Sequence, residues 1–151
     1  MNEEDIKVLI FNINTEYYAA DIMEVERILG YKVPTKLPDS PDFVEGVINY
    51  EEKILPVISI GKKFNLHGEN ISDDSKIIVA KSGDERIGII VDEVSEVKDI
   101  KSFNIENAPD IAASISNRYI KGLIKLDEKI IIFLRLASIL SDEEKEEIMS
   151  K

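Results

Sequence analysis

The stretch Phe43-Val-Glu-Gly-Val-Ile-Asn-Tyr-Glu-Glu-Lys-Ile-Leu-Pro-Val-Ile58 decides the fold. Two apolar, β-branched runs flank a charged turn at Glu51-Glu52-Lys53, a strand–turn–strand pattern. Pro56 cannot donate into ladders on both sides, so its strand is expected at an edge or a bulge. The pattern returns 76 residues later and aligns without gaps on residues 119–134. Identities fall at Gly46/Gly122, Ile48/Ile124, Glu52/Glu128, Lys53/Lys129 and Ile54/Ile130. Five matches in sixteen exceed the roughly one expected by chance. A weaker match at offset 69 pairs Lys7–Ile28 with Lys76–Val97, including Glu16/Glu85, Glu24/Glu93 and Val25/Val94. Coincidental β composition is the bland alternative. The favoured reading is a duplication inside a single domain, residues 1–151, forming two small barrels of about five strands each. The halves fall at about 5–70 and 76–140, and strands are free to cross between them.

Working outward, Ile6–Ile13 reads as a strand turning at Asn14-Thr15-Glu16 into Tyr17–Ala20. Residues 21–29 carry apolar groups at Ile22, Val25, Ile28 and Leu29, with Asp21 as N-cap, Glu24 three later and Gly30 as stop. That spacing predicts a turn or two of helix running into a strand. Pro34, Pro38 and Pro41 hold an extended connection. Residues 65–75 form a polar loop, and 76–92 form a hairpin around Ser82-Gly83-Asp84-Glu85. Glu93–Ser102 alternates, 103–116 is irregular, and 118–136 is the last hairpin. Ser141-Asp142-Glu143-Glu144 opens a C-terminal helix over 141–151 with a capping box.

Composition narrows the chemistry. Ile alone supplies 26 residues and Val ten, a bias toward pleated surfaces. A net charge of −11 repels phosphate backbones, so nucleic acid is an unlikely partner class. With no Cys, disulfides, thiolate metal sites and Cys nucleophiles are excluded. His67, the single histidine, sits in the polar loop and reads as a surface residue. The acids at 69–74 lack calcium-loop spacing, and no phosphate-binding glycine loop occurs. Carboxylate pairs such as Glu51-Glu52 and Asp92-Glu93 arise from composition. No enzyme, cofactor or metal site is therefore expected. Apolar runs such as Ile130–Leu134 fall far below the roughly 18 residues of a membrane span, and the acidic N-terminus does not suit a signal peptide. A soluble, intracellular protein is expected.

Taken together, the runs resemble the CheW family of chemotaxis coupling proteins from about Val8 to Leu140. Residues 43–50 followed by Ile54-Leu-Pro-Val-Ile58 are similar to the family's F-I-x-G-V-x-N-L-R-G-x-I-x-P-V-x-D-L. Residues 87–97 are similar to its G-[IL]-x-V-D-x-V-x-x-V run. Asn107-Ala108-Pro109, Tyr119–Leu123 and Ile130–Leu134 follow in the family's order. The resemblance implies two SH3-like five-stranded β-barrels and no catalytic activity. It also implies a cytoplasmic adaptor associated with membrane-bound receptor arrays through its partners, with no membrane insertion of its own. Those partners are the regulatory domain of the histidine kinase CheA and the cytoplasmic tip of chemoreceptors. Kinase contacts are implied at the barrel ends, in the hairpins around Lys53, Ile54, Lys129 and Ile130. A groove between the barrels is implied to take the receptor's helical hairpin, with Arg27, Ile28, Asn49, Glu51 and Glu52 as candidates.

The chain departs from the family pattern at several points. Asn49-Tyr50-Glu51-Glu52 replaces N-L-R-G, Ser59 replaces a frequent Asp, and Gly61 replaces a frequent Arg. Val25-Glu26-Arg27-Ile28 aligns on V-x-E-I, so Arg27 stands where an acid is usual. Arg27 and Glu51 are accordingly expected to form one swapped ion pair, with two unrelated surface charges as the alternative. The rival functional readings are a divergent CheW-like module serving another kinase pathway or acting as an array decoy, and an unrelated small β-barrel enzyme or ligand-binding protein.

Overall fold

Strands dominate because the chain's apolar residues are chiefly β-branched. The computed structural model describes residues 5–64, 71–107, 118–140, 144 and 146. The first half of the chain carries β1 (Asp5–Ile13), β2 (Glu16–Asp21), β3 (Val25–Gly30), β4 (Val44–Tyr50) and β5 (Lys53–Ser59), then the short helix α1 (Ile60–Lys63). The second carries β6 (Lys76–Ser82), β7 (Glu85–Val91), β8 (Glu93–Lys101), β9 (Ile105–Glu106), β10 (Ile120–Leu126) and β11 (Lys129–Leu134). Single 3-10 turns lie at Ile22–Glu24, Ser102–Asn104 and Leu136–Ser138.

These strands form two sheets, ordered β8-β1-β2-β11-β10-β9 and β3-β6-β7-β5-β4. Shifted by the two sequence offsets, β3, β6, β7, β5 and β4 take the places of β8, β1, β2, β11 and β10. Even the single parallel pair of each sheet matches, β11 with β2 and β5 with β7. The two sequence matches are therefore matches between whole folded units. Strands do cross between the halves, and they cross as hairpins: β1–β2 joins the second half's strands, and β6–β7 joins the first half's. The closed barrels expected from the sequence are not found. Each sheet curls around an apolar cluster, and its edge strands share no main-chain ladder.

Three cores result. Val8, Ile10, Ala19, Ile124, Ile131 and Phe133 fill the first curled sheet. Ile77, Val79, Ile48, Leu55 and Val57 fill the second. Between the sheets lie Leu9, Phe11, Ile13, Ile78, Ile58, Ile60, Leu134 and Leu136. A central strand thus buries both faces, which is why Val8-Leu9-Ile10-Phe11 reads as an unbroken apolar run.

Both duplicated hairpins bulge at one position. The registers slip between Val44 and Gly46 and between Ile120 and Gly122, leaving Glu45 and Lys121 as the extra residues. The glycine beside each bulge lets a further segment pass close overhead. A Cβ on Gly46, at φ +140°, would sit 2.2 Å from the Thr35 carbonyl oxygen, and one on Gly122 would sit 2.8 Å from that of Glu106. Thr35 exchanges main-chain hydrogen bonds with Val47, and Glu106 pairs with Leu123 at the corresponding site. Across the seam between sheets, the Lys63 ammonium lies 4.5 Å from the Phe43 ring centroid and 5.9 Å from that of Tyr119. Those two aromatics occupy the same position in the two repeats.

Several local expectations need correction. Residues 21–29 do run from a turn into a strand, the turn being the 3-10 turn Ile22–Glu24, capped by Asp21, whose Oδ1 accepts from the Met23 amide at 2.9 Å. Pairing with β6 then draws Val25–Gly30 into a strand, so Gly30 ends β3 instead of stopping a helix. Pro56 lies in an interior strand, but its parallel ladder with β7 begins only at Val57, so its missing N–H faces no partner. The irregular region 103–116 contains β9. Helix α1 follows β5 directly, and the Ser59 hydroxyl starts it by accepting from the Lys62 amide at 3.1 Å. Residues 65–70, with His67, lie outside the described residues. So does the C-terminal helix expected over 141–151, apart from Glu144 and Glu146, both helical. Among the described residues, no helix is long and apolar enough to cross a membrane.

Candidate partner-binding surfaces

The edge strands of the five-stranded sheet face each other across an open mouth, and side chains bridge the gap. Glu26 is the extra residue of a bulge in β3, since Val25 pairs Ala80 while Arg27 pairs Val79. Its carboxylate accepts from the Tyr50 phenol on β4 at 2.6 Å and from Arg86 Nε on β7 at 2.6 Å. Those two hydrogen bonds, the phenol's first, hold Glu26 below the usual carboxylate range. Burial, then the hydrogen bond to Glu26, push the Tyr50 phenol up to about 12. Beside them, the Arg27 guanidinium lies 5.8 Å from the Tyr50 ring centroid and pairs Glu51 at 3.3 Å. The expected charge pair is therefore formed. Both side chains are 55% exposed, so the pair itself contributes about 0–1 kcal/mol.

The mouth is a depression of about 330 Å³ lined by Tyr50, Lys53, Ile54, Asp84 and Arg86 among others. A smaller one of about 190 Å³ opens on the other sheet, lined by Tyr17, Ser95, Lys98, Leu126, Asp127 and Lys129. Under the repeat, Ser95 stands for Glu26, Leu126 for Tyr50, Asp127 for Glu51, Lys129 for Lys53 and Tyr17 for Arg86. The two mouths are one site written twice with different side chains. In the second, the Lys129 ammonium lies over the Tyr17 ring at 4.4 Å.

The sequence-derived groove candidates do not form one cluster. Arg27 and Glu51 meet at the mouth, on the inner side of the sheet. Ile28 pairs Ile78 and faces the other side, toward the seam between sheets. Asn49 pairs Ile54 on the outer face of the hairpin. Glu51 and Glu52 form the turn, both with positive φ, at 49° and 65°. The hairpin candidates occupy corresponding positions in the two repeats. Ile54 is 70% exposed and Ile130 is 59% exposed, at matching positions just past their turns.

Sequence reasoning missed a wider regularity. The exposed large apolar side chains among the described residues are Met23, Ile28, Val33, Ile54, Val97, Phe103 and Ile130. Four of these seven pair under the repeat: Ile28 with Val97 and Ile54 with Ile130. Comparing exposed instead of core positions between the repeats is the signal that would have found it. The Glu26–Tyr50–Arg86 cluster had no such signal, because its members are 24 and 60 residues apart. Among the described residues, no three His, Cys, Asp or Glu side chains converge to hold a metal ion.

A CheW-like domain matches residues 7–144. The chemotaxis protein CheW of Klebsiella aerogenes is 35% identical over 136 residues, covering 90% of this chain and 82% of that protein. CheW of Thermotoga maritima is 32% identical over 142 residues, covering 92% of this chain and 90% of that protein. The crystal structure of the scaffolding protein TtCheW from Thermoanaerobacter tengcongensis superposes with a TM-score of 0.85 at 34% identity. It covers 95% of this chain and 97% of that one.

Proposed function

This chain belongs to the CheW-like domain family, and from that premise we propose that it is a non-catalytic adaptor of chemotaxis signalling. It joins the regulatory domain of CheA to the cytoplasmic tips of chemoreceptors, acting in the cytoplasm and reaching the membrane only through its partners. The two curled sheets serve as SH3-like barrels, and the repeats about 5–70 and 76–140 form one working unit. The observation that carries this reading is the duplicated exposed apolar set, above all Ile54 and Ile130. A solvated side chain has no packing reason to stay apolar in both copies. Two equivalent apolar ends suit a partner that is itself built of two such units. Kinase contacts then centre on the hairpins around Lys53, Ile54, Lys129 and Ile130. Receptor contacts involve Arg27, Ile28, Asn49, Glu51 and Glu52, which lie on or next to edge strands β3 and β4.

The test measures binding of the purified chain to a CheA regulatory domain and to a receptor hairpin fragment, each alone. Ile54→Asp and Ile130→Asp should each weaken the kinase complex about tenfold or more with the fold intact by circular dichroism. Unchanged binding in both variants would move the contact elsewhere. The swapped pair Arg27–Glu51 favours a second reading, a divergent module serving another kinase pathway or acting as an array decoy. Reversed charges repel a surface built for the usual ones. Under that reading, Arg27→Glu combined with Glu51→Arg gains affinity for a conventional receptor fragment beyond the sum of the single changes.

A further inference from the structure

The two mouths share a backbone, yet only one is bridged by a carboxylate. We infer that Glu26 is the positioning residue that holds the mouth of the five-stranded sheet in its binding arrangement, and that the other mouth has no counterpart. Edge strands β3 and β4 share no ladder, and the Thr35–Val47 main-chain pair lies back from the β4–β5 turn, so the turn itself needs another link to β3. Glu26 supplies that link, collecting Tyr50 from β4 and Arg86 from β7 on its two oxygens. Charge-assisted bonds of this length are the strong, directional kind. Tyr50 immediately precedes the turn, so its placement sets the ring that Arg27 covers, the Glu51 that Arg27 pairs, and the direction in which Ile54 points.

At the matching bulge of β8 stands Ser95, too short to span a mouth. Its hydroxyl bonds the Asn12 side chain at 3.2 Å instead. Leu126 and Tyr17, in the places of Tyr50 and Arg86, could not form the same cluster with any acid. The second mouth therefore keeps its turn without such a carboxylate, with the Lys129–Tyr17 contact and packing in its place.

The binding readout of the test rests on the adaptor function proposed above; a partner-free readout does not. The first measurement is NMR on the free full-length chain. In the unmodified protein the Arg86 Nε–H should be protected from solvent. Glu26→Ala should expose it and shift the amides of 50–55, leaving those of 126–131 in place. Glu26→Gln keeps one acceptor and should fall between. Tyr50→Phe removes only the phenol and covers the case in which Glu26→Ala does not fold; it should shift the same amides with Arg86 still protected. The second measurement is binding to the CheA regulatory domain in backgrounds where one end is disabled. With Ile130→Asp, Glu26→Gln should cost about tenfold or more in affinity; with Ile54→Asp it should cost under about twofold, as should Ser95→Ala in either. Equal losses in both backgrounds, or amides of 50–55 that do not move in any variant, would overturn the inference. An unmodified chain that does not bind CheA would refute the adaptor function, and the amide shifts would still decide the role of Glu26.

Discussion

Glu24 offers the sharpest test of how the two repeats are locked together. It sits in the 3-10 turn between β2 and β3, yet its carboxylate accepts from the Leu136 amide at 3.1 Å and the Ala137 amide at 3.2 Å. Those amides open the last 3-10 turn, and no earlier carbonyl of that turn can satisfy them. Leu136, Ile139 and Leu140 around it are buried in the core between the sheets. Glu24→Ala leaves a buried N–H and a half-buried one without an acceptor. At about 1–3 kcal/mol for the first and about 0.5–1 for the second, the loss should be about 2–4 kcal/mol. For a chain of this size that lowers Tm by about 5–12 °C. Glu24→Gln keeps one oxygen acceptor and should cost about half as much. The repeat supplies its own control. Glu93 occupies the matching position and is exposed, so Glu93→Ala should change stability by less than about 0.5 kcal/mol. Urea unfolding read by circular dichroism measures all three variants. If Glu24→Ala costs no more than Glu93→Ala, the carboxylate does not anchor that turn and the reasoning fails.

Three further outcomes follow from the same geometry. Glu51→Asn with Glu52→Gly places residues suited to positive φ in the turn and should raise stability by about 1 kcal/mol; a loss in urea denaturation would show that the turn is not of this type. Gly46→Ala and Gly122→Ala should each destabilise strongly, by about 3 kcal/mol or more at Gly46, where positive φ and the Thr35 carbonyl both oppose a side chain. Wild-type stability there would disprove the close approach. The Tyr50 phenol ionises at 10.0 when unfolded and at about 12 in the fold, so its contribution holds below pH 10 and is lost as pH rises toward 12. Glu26 runs the opposite way: its contribution holds above the unfolded value of 4.5 and is lost as pH falls through its depressed folded value. Burial also raises the Tyr18 and Tyr31 phenols, so the test is phenolate absorbance of the unmodified chain against Glu26→Gln and Tyr50→Phe. The component that Tyr50→Phe removes should move down in Glu26→Gln, and an unmoved component would contradict the hydrogen bond.

The amino-acid sequence by itself determined the strand content, the duplicated hairpins and the family, because these rest on local signals. Runs of Ile and Val mark strands, the Glu51-Glu52 turn marks a hairpin, and Gly46 and Gly122 recur at one spacing since a neighbouring backbone needs the room. It also paired Arg27 with Glu51, by the joint departure of two positions. Only the tertiary structure decided which strands share a sheet. Periodicity records which face of a strand is buried, not which partner buries it, and β1 buries both faces, so no pattern in it assigns a sheet. The same limit hid Glu26, Tyr50 and Arg86, three ordinary residues far apart in the chain that meet only because the sheet curls until its edges face each other. It also left open where the turn at 21–29 gives way to strand, which the edge of β6 decides by offering Val25–Gly30 a ladder of hydrogen bonds that a lone turn of helix cannot match.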